Sequence, residues 1–292
     1  MIHSVQAVHG NGQMLDGGAL FGTTPKTLWS QWLEADDQNR LPLACRCLIL
    51  ESSHGNILIE ASIGAFLPPK LQSRYGVESS DHLLLQNLEQ LGYSPESIDY
   101  VILSHLHFDH AGGILSQYQE GQTGFELVFP NAQYICGDQS FERTLNPHPR
   151  DKAMFNQEIA QLLQDSGRLH LVKTQGVGSI ETPIPAPAPL TDDLWFHMSH
   201  GHTPGMILPY FKINDETHCF PADLIPGNAW IHQPITMGYD RFAELVVEEK
   251  TAFLKMALEQ KTKLHFYHDA HYASGDLVFD GRKYAGEALI EG

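Results

Sequence analysis

With 292 residues, 42% of them apolar and 18% charged, the chain has the composition of a globular protein rather than a disordered one, and no apolar run reaches the roughly 20 residues of a membrane helix. Its 18 Lys and Arg against 35 Asp and Glu give a formal net charge of −17, a balance that repels phosphate backbones and anionic lipid, so neither nucleic acid nor membrane is expected as a partner. What remains is a small-molecule substrate, a homodimer as the default assembly, and one large domain over 1–292 with a cap inserted around 138–190.

Residues 1–12 mix His, Gln, Asn and Gly without the basic flank and apolar stretch of a secretory leader, so the expected compartment is the cytoplasm. From Asp16 the chain reads DGGALFGTTPKTLW, opening as a glycine-rich turn. Apolar runs of strand length then come at 43–50, 56–60, 100–104, 133–136, 194–198, 205–213, 217–220 and 263–267. Helical spacing appears at Leu83, Leu84, Leu88 and Leu91, at Ile159, Leu162 and Leu163, and most plainly over 241–259, through Phe242, Leu245, Val246, Phe253, Leu254 and Leu258. Ser94, Pro95 and Glu96 read as a cap opening a short helical turn, and the prolines at 183, 185, 187 and 189 mark an extended connection. Cys45, Cys47, Cys136 and Cys219 fall mostly inside apolar runs without paired metal-type spacing, which predicts buried free thiols. Strands and helices in this mixed order predict an α/β fold in four layers, sheet inside and helices outside.

Chemistry concentrates at 99–113, DYVILSHLHFDHAGG, where an apolar strand delivers His105, His107, Asp109 and His110 and then two glycines. Imidazoles with a carboxylate suit zinc and related divalent ions. Residues two apart on a strand share a side, so His105 and His107 approach one ion; Asp109 and His110 are adjacent and need a turn to join them. Two ions follow naturally. The alternative is a surface loop that happens to be rich in histidine.

The string HLHFDH matches the HxHxDH signature of the metallo-β-lactamase superfamily, and the chain resembles that family through nearly its whole length. The resemblance implies a four-layer αβ/βα sandwich with two mixed sheets. It also implies a first ion held by His105, His107 and a histidine from a Gly-His-Thr-Pro-Gly loop. That loop is GHTPG at 201–205, so His202 is the match, although spacing alone does not choose between His200 and His202. For the second ion the resemblance implies Asp109, His110, a bridging Asp223 and a final histidine. The segment LHFYHDAHY offers His265, His268 and His271, and the His-Asp pattern favours His268. His197 and His200 then read as packed residues or as supports behind the ligands, His265 and His271 as core or surface residues, and Asp269 either orients an imidazole or closes a turn.

The cofactors so implied are two divalent ions, zinc foremost with iron or manganese as alternatives, roughly 3.5–4 Å apart and activating a hydroxide. Asp109 is the expected catalytic residue, holding the nucleophile and taking its proton. The stretch from Asp16 to Trp29 and the SHLHFDHAGG string are similar to the lactonase and organophosphate-hydrolase branch, which implies hydrolysis of an ester, lactone or related small molecule. One departure stands out: quorum-quenching lactonases carry a tyrosine shortly after the bridging aspartate, where this chain has Leu224, Ile225 and Pro226. A thioester hydrolase of the glyoxalase II type and a mononuclear iron oxygenase share the signature. A non-enzymatic scaffold stabilised by its ions is the reading from another class. Trp230, Ile231, Pro234, Met237 and Tyr239 are candidates for an apolar wall beside the site.

Overall fold

In the computed structural model, which describes residues 1–174, 176, 179–190 and 192–292, the strands run in chain order as follows. They are β1 (Ile2–His9), β2 (Gln13–Asp16), β3 (Arg40–Leu43), β4 (Arg46–Ser52), β5 (Gly55–Ile59), β6 (Ile98–Ile102), β7 (Gln133–Gly137) and β8 (Leu169–Val172). The second half adds β9 (Ile184–Pro185), β10 (Leu194–Ser199), β11 (Met206–Ile213), β12 (Glu216–Cys219), β13 (Lys263–His265), β14 (Tyr272–Phe279) and β15 (Tyr284–Glu291). They form a six-stranded sheet in the order β1-β4-β5-β6-β7-β8, a seven-stranded sheet in the order β15-β14-β13-β12-β11-β10-β9, and the separate antiparallel pair β2-β3.

Both large sheets are mixed, as expected. In the first, β1, β4 and β5 pair antiparallel, and β5 to β8 pair parallel. Parallel neighbours need crossovers, which the helices Pro69–Tyr75 and Leu83–Gln90 supply between β5 and β6. Five consecutive buried residues open β4, the mark of a strand covered on both faces. One contiguous core runs from Val8 and Leu48 through Val101 and Ile135 to Ile207, Phe211 and Leu264, and β11 touches β1 and β7 of the facing sheet. The helix Ala243–Glu259 buries Val246, Phe253, Leu254 and Ala257, one stripe at the helical period.

Some elements depart from expectation for local reasons. The apolar run 43–50 is two strands, because the chain changes partner between Leu43, paired with Gln13 on β2, and Arg46, paired with His9 on β1. Strand β1 has no apolar alternation to betray it, since only Ile2 and Val8 are buried. The turn at Pro95–Ser97 forms, but Ser94 makes no side-chain cap bond. The proline-rich stretch contributes β9, an edge strand, where proline is tolerated. Segment 138–190, expected as a cap, holds the helices Asp138–Leu145 and Gln157–Asp165 and the edge strands β8 and β9; its residues 175, 177 and 178 lie outside the described residues.

A second core roofs one end of the molecule. Asp16 caps the short helix Gly17–Phe21, and Phe21 stacks between Trp29 at 5.5 Å and Trp230 at 4.7 Å. Gly17 permits this, because a Cβ there would lie 2.6 Å from Trp29. All four cysteines are buried and free. Among the described residues no helix is long and apolar enough to cross a membrane.

Candidate metal centre

The end of β6 builds the site as its sequence suggests. His105 and His107 leave the strand extended, and the helical turn Phe108–Ala111 then carries Asp109 and His110 round to them. Gly113 lets that turn dock, because a Cβ would fall 1.8 Å from the Ala61 carbonyl oxygen. His202 arrives from the 201–205 loop, Asp223 from the turn Ala222–Leu224, and His268 from beyond β13. None of the seven is more than 6% exposed, so the site is withdrawn from bulk water.

Three overlapping groups emerge, His105 with His107 and His202, His105 with His110 and Asp223, and Asp109 with His110 and His268, the ligand-type atoms of each lying within 4.8 Å of one another. His107 Nδ1 stands 2.9 Å from His105 Nε2 and 3.2 Å from His202 Nε2. Asp223 spans the groups. Its Oδ2 lies 3.3 Å from His202 Nε2, while its Oδ1 lies 3.3 Å from His110 Nε2 and 3.6 Å from His268 Nε2. His268 Nε2 also lies 3.6 Å from Asp109 Oδ2.

The residues fit divalent cations. His110 Nε2, Asp109 Oδ1 and Asp223 Oδ1 are buried without an aligned hydrogen bond among the described residues, at a cost of about 1–3 kcal/mol each unless a ligand satisfies them. The donors are nitrogen and oxygen without sulfur, a set that binds zinc and its neighbours. Burial, reinforced by neighbouring imidazoles, drives His105 and His107 well below the usual histidine range, which leaves them neutral with lone pairs free. Burial pushes the Asp223 carboxyl up, but His110, His268 and His202 outweigh it and hold Asp223 far below the usual carboxylate range, hence charged.

The outward ring nitrogens are held from behind. His105 Nδ1 lies 2.9 Å from Ser104 Oγ, His202 Nδ1 lies 2.9 Å from Asp240 Oδ1, and His268 Nδ1 lies 2.8 Å from the Ala44 carbonyl oxygen. Asp240 is itself fixed by the Met237 N–H at 2.7 Å. Partners of this kind set the tautomer and basicity of a ligand. We expect Asp240→Ala to weaken zinc binding about 10- to 100-fold with the fold intact, measured by competition against a chromophoric chelator.

Deeper support is carboxylate and guanidinium. Glu249 accepts hydrogen bonds from the Ser199 hydroxyl, from the His200 N–H at 2.7 Å and from the Gly201 N–H at 3.0 Å, so one buried side chain ties the His202 loop to its helix. Gly201 makes this approach possible, because a Cβ would meet Val246 at 2.6 Å. Glu249→Ala strands those donors, and we expect a loss of about 3 kcal/mol in urea unfolding. Arg46 Nη1 donates to the carbonyls of Phe266, Asp269 and Tyr272, clasping the segment that carries His268. Glu60 Oε1 accepts from the Ser104 N–H at 3.1 Å and faces His110 Nδ1 at 3.6 Å. Gln13 Nε2 donates to Asp109 Oδ2 at 2.6 Å, and the Tyr267 hydroxyl donates to the Asp109 backbone carbonyl.

The other histidines stay outside the cluster. His197 Nδ1 bonds the Ile180 carbonyl oxygen, His265 pairs with His218 at 3.0 Å, and His200 accepts from the Gly205 N–H at 2.9 Å. Asp269 is a turn carboxylate rather than an orienting one, taking the N–H groups of Asn228, His271 and Tyr272. Between the ligand-type residues and the roof lies a cavity of about 20 Å³, walled by Leu15, Leu20, Leu43, Met154, Met237 and Tyr239. Of the expected wall residues Met237 and Tyr239 reach it, whereas Trp230 and Ile231 are core.

The family described as the metallo-beta-lactamase superfamily matches residues 40–116. An N-acyl homoserine lactonase of Bacillus cereus is 33% identical over 132 residues, 36% of this chain and 51% of that protein. A second, from a Bacillus species, is 33% identical over 129 residues, 35% of this chain and 50% of that one. The chain thus spans about half the length of the curated relatives it matches. A probable metal-dependent hydrolase from Staphylococcus aureus superposes with a TM-score of 0.86 at 25% identity, over 100% of this chain and 98% of that one. A dizinc quorum-quenching lactonase superposes with a TM-score of 0.74 at 17% identity, over 100% and 96% of the two chains, a likeness of fold. Two mixed sheets, a buried cluster of His and Asp suited to divalent metal, and these similarities agree: residues 40–116 carry the metallo-beta-lactamase superfamily match, within a chain that shares the fold of a metal-dependent hydrolase.

Proposed function

We propose that the protein is a dinuclear metal hydrolase, with zinc as its resident ion, that cleaves an ester, lactone or related bond in a small molecule. The observation that carries this reading is the span of Asp223, one oxygen toward His202 and the other toward His110 and His268. His105, His107 and His202 would hold one ion, Asp109, His110 and His268 the other, and Asp223 both. Bound there, the ions supply Lewis-acid polarisation and lower the pKa of water toward neutrality.

The chain's own residues handle the proton and the substrate. Asp109, positioned by Gln13, is the catalytic carboxylate: the oxygen of water bonds to the acyl carbon, and Asp109 takes the proton released. The acyl–oxygen bond breaks and the departing alkoxide receives that proton, giving an acid and an alcohol. Tyr239 lines the cavity, and burial lifts its phenol to about 12, so it keeps its proton near neutrality and offers a donor. It stands in a chain that lacks a tyrosine at 224–226.

The test is a panel of lactones, oxoesters, thioesters, phosphotriesters and β-lactams presented to zinc-loaded protein. Turnover of carboxylic esters or lactones is the expected result. No turnover of any of them at any metal loading would end the proposal.

A further inference from the structure

Beside the metal cavity runs a groove of about 340 Å³, within the size range of small-molecule pockets. Leu71, Tyr75, Phe108 and Phe155 give it an apolar lining, and Lys152 joins them. Groove and cavity share a wall. Phe108 lies in the chain between His107 and Asp109, and the Phe155 ring packs 4.8 Å from that of His107 while its backbone bridges to the same residue. Met154 faces the cavity while its neighbours Ala153 and Phe155 face the groove.

Lys152 lines this groove, and the segments that supply its other lining residues carry further cations, in a chain whose formal charge is −17. The helix Pro69–Tyr75 carries Lys70 and Arg74 and no acidic residue, and the opposite segment carries Arg150 and Lys152. The nearby Asp151 is spent on Arg143, at 2.6 Å. Lys70, Arg74, Arg150 and Lys152 form no ion pair among the described residues. Arg150 is nonetheless held in place: its guanidinium donates to the Gly238 carbonyl oxygen at 3.0 Å, between the cavity residues Met237 and Tyr239. Unpaired cations beside an apolar trough and a hydrolytic centre are complementary to a molecule with an apolar stem and an anionic end.

We propose that the substrate is such an amphiphilic anion, an ester or lactone whose apolar arm lies along this groove and ends in a carboxylate or comparable anion near Lys152 and Arg150. The inference rests on the hydrolytic reading above and narrows its substrate class. A neutral acyl lactone would leave Lys152 and the cations beside it unused.

Two 4-nitrophenyl esters with arms of equal length, one ending in a methyl group and the other in a carboxylate, test this on zinc-loaded protein. The anionic ester is expected to have kcat/KM about tenfold higher at low ionic strength, and about 1 M NaCl should erase most of the preference. The double variant Lys152→Gln, Arg150→Gln, whose side chains are both exposed, should shrink the ratio of the two values, with circular dichroism confirming the fold. Equal turnover, preference for the neutral ester, or a preference insensitive to salt would overturn the proposal while leaving the hydrolytic reading intact. Turnover of neither ester, nor of any other member of the wider panel, would instead remove that reading and this inference with it.

Discussion

Asp223→Asn is expected to lower turnover of the best ester or lactone at least a thousandfold, about 4 kcal/mol of transition-state stabilisation. The substitution keeps the shape of the side chain and removes the charge that stands between His202 on one side and His110 and His268 on the other. Three imidazoles draw that carboxyl far below its ordinary pKa against the opposing push of burial, so it stays charged between them. On the dinuclear reading proposed above, without it the second cation would lose a ligand and nothing would set the spacing of the pair. The fold should persist, because the buried imidazoles relieve the lost charge by shedding protons. Kinetics with metal analysis of the variant checks this. Near-native turnover with full metal content would show that Asp223 does not span the ions.

Stripping the metal is expected to abolish hydrolysis and to lower the melting temperature by about 10 °C, both restored by zinc. Ligand binding to the folded state alone stabilises by about 4 kcal/mol at a thousandfold excess over the dissociation constant, and a chain of this size loses about 2–4 °C per kcal/mol. The source of the effect is on view in His110 Nε2, Asp109 Oδ1 and Asp223 Oδ1, which are buried without aligned partners among the described residues. Calorimetry and a coupled assay before and after chelation measure both quantities. A stripped protein with full activity and an unchanged melting temperature would contradict the proposal.

What could be read in advance follows the range of the interactions involved. His105, His107, Asp109 and His110 are neighbours in sequence, so local geometry alone marks them as a ligand set. His202, Asp223 and His268 are single polar residues beyond the ends of strands, indistinguishable from turn residues until family resemblance selects them. Gln13, Asp240 and Glu249 escaped that reading because tertiary proximity alone defines them. Glu249 sits between Glu248 and Lys250 on an ordinary helix, and nothing in its periodicity reveals that it ties down the His202 loop. Glu60 and Arg46 carried a faint signal, each a charge set against an apolar run, where burial without a partner would be costly. For the fold, strands covered on both faces were legible from apolar content. The edge strands β1, β8 and β15 leave most of their residues at least partly exposed and so lack that mark.

The central claim is that seven buried side chains from four separate parts of the chain converge on a pair of cations. Crystallography of the zinc-loaded protein with anomalous data at the zinc edge tests it directly. Two anomalous peaks per chain are expected, one among His105, His107 and His202 and one among Asp109, His110 and His268, with Asp223 reaching both. A single closed four-coordinate ion, or no peak within reach of Asp223, would contradict it.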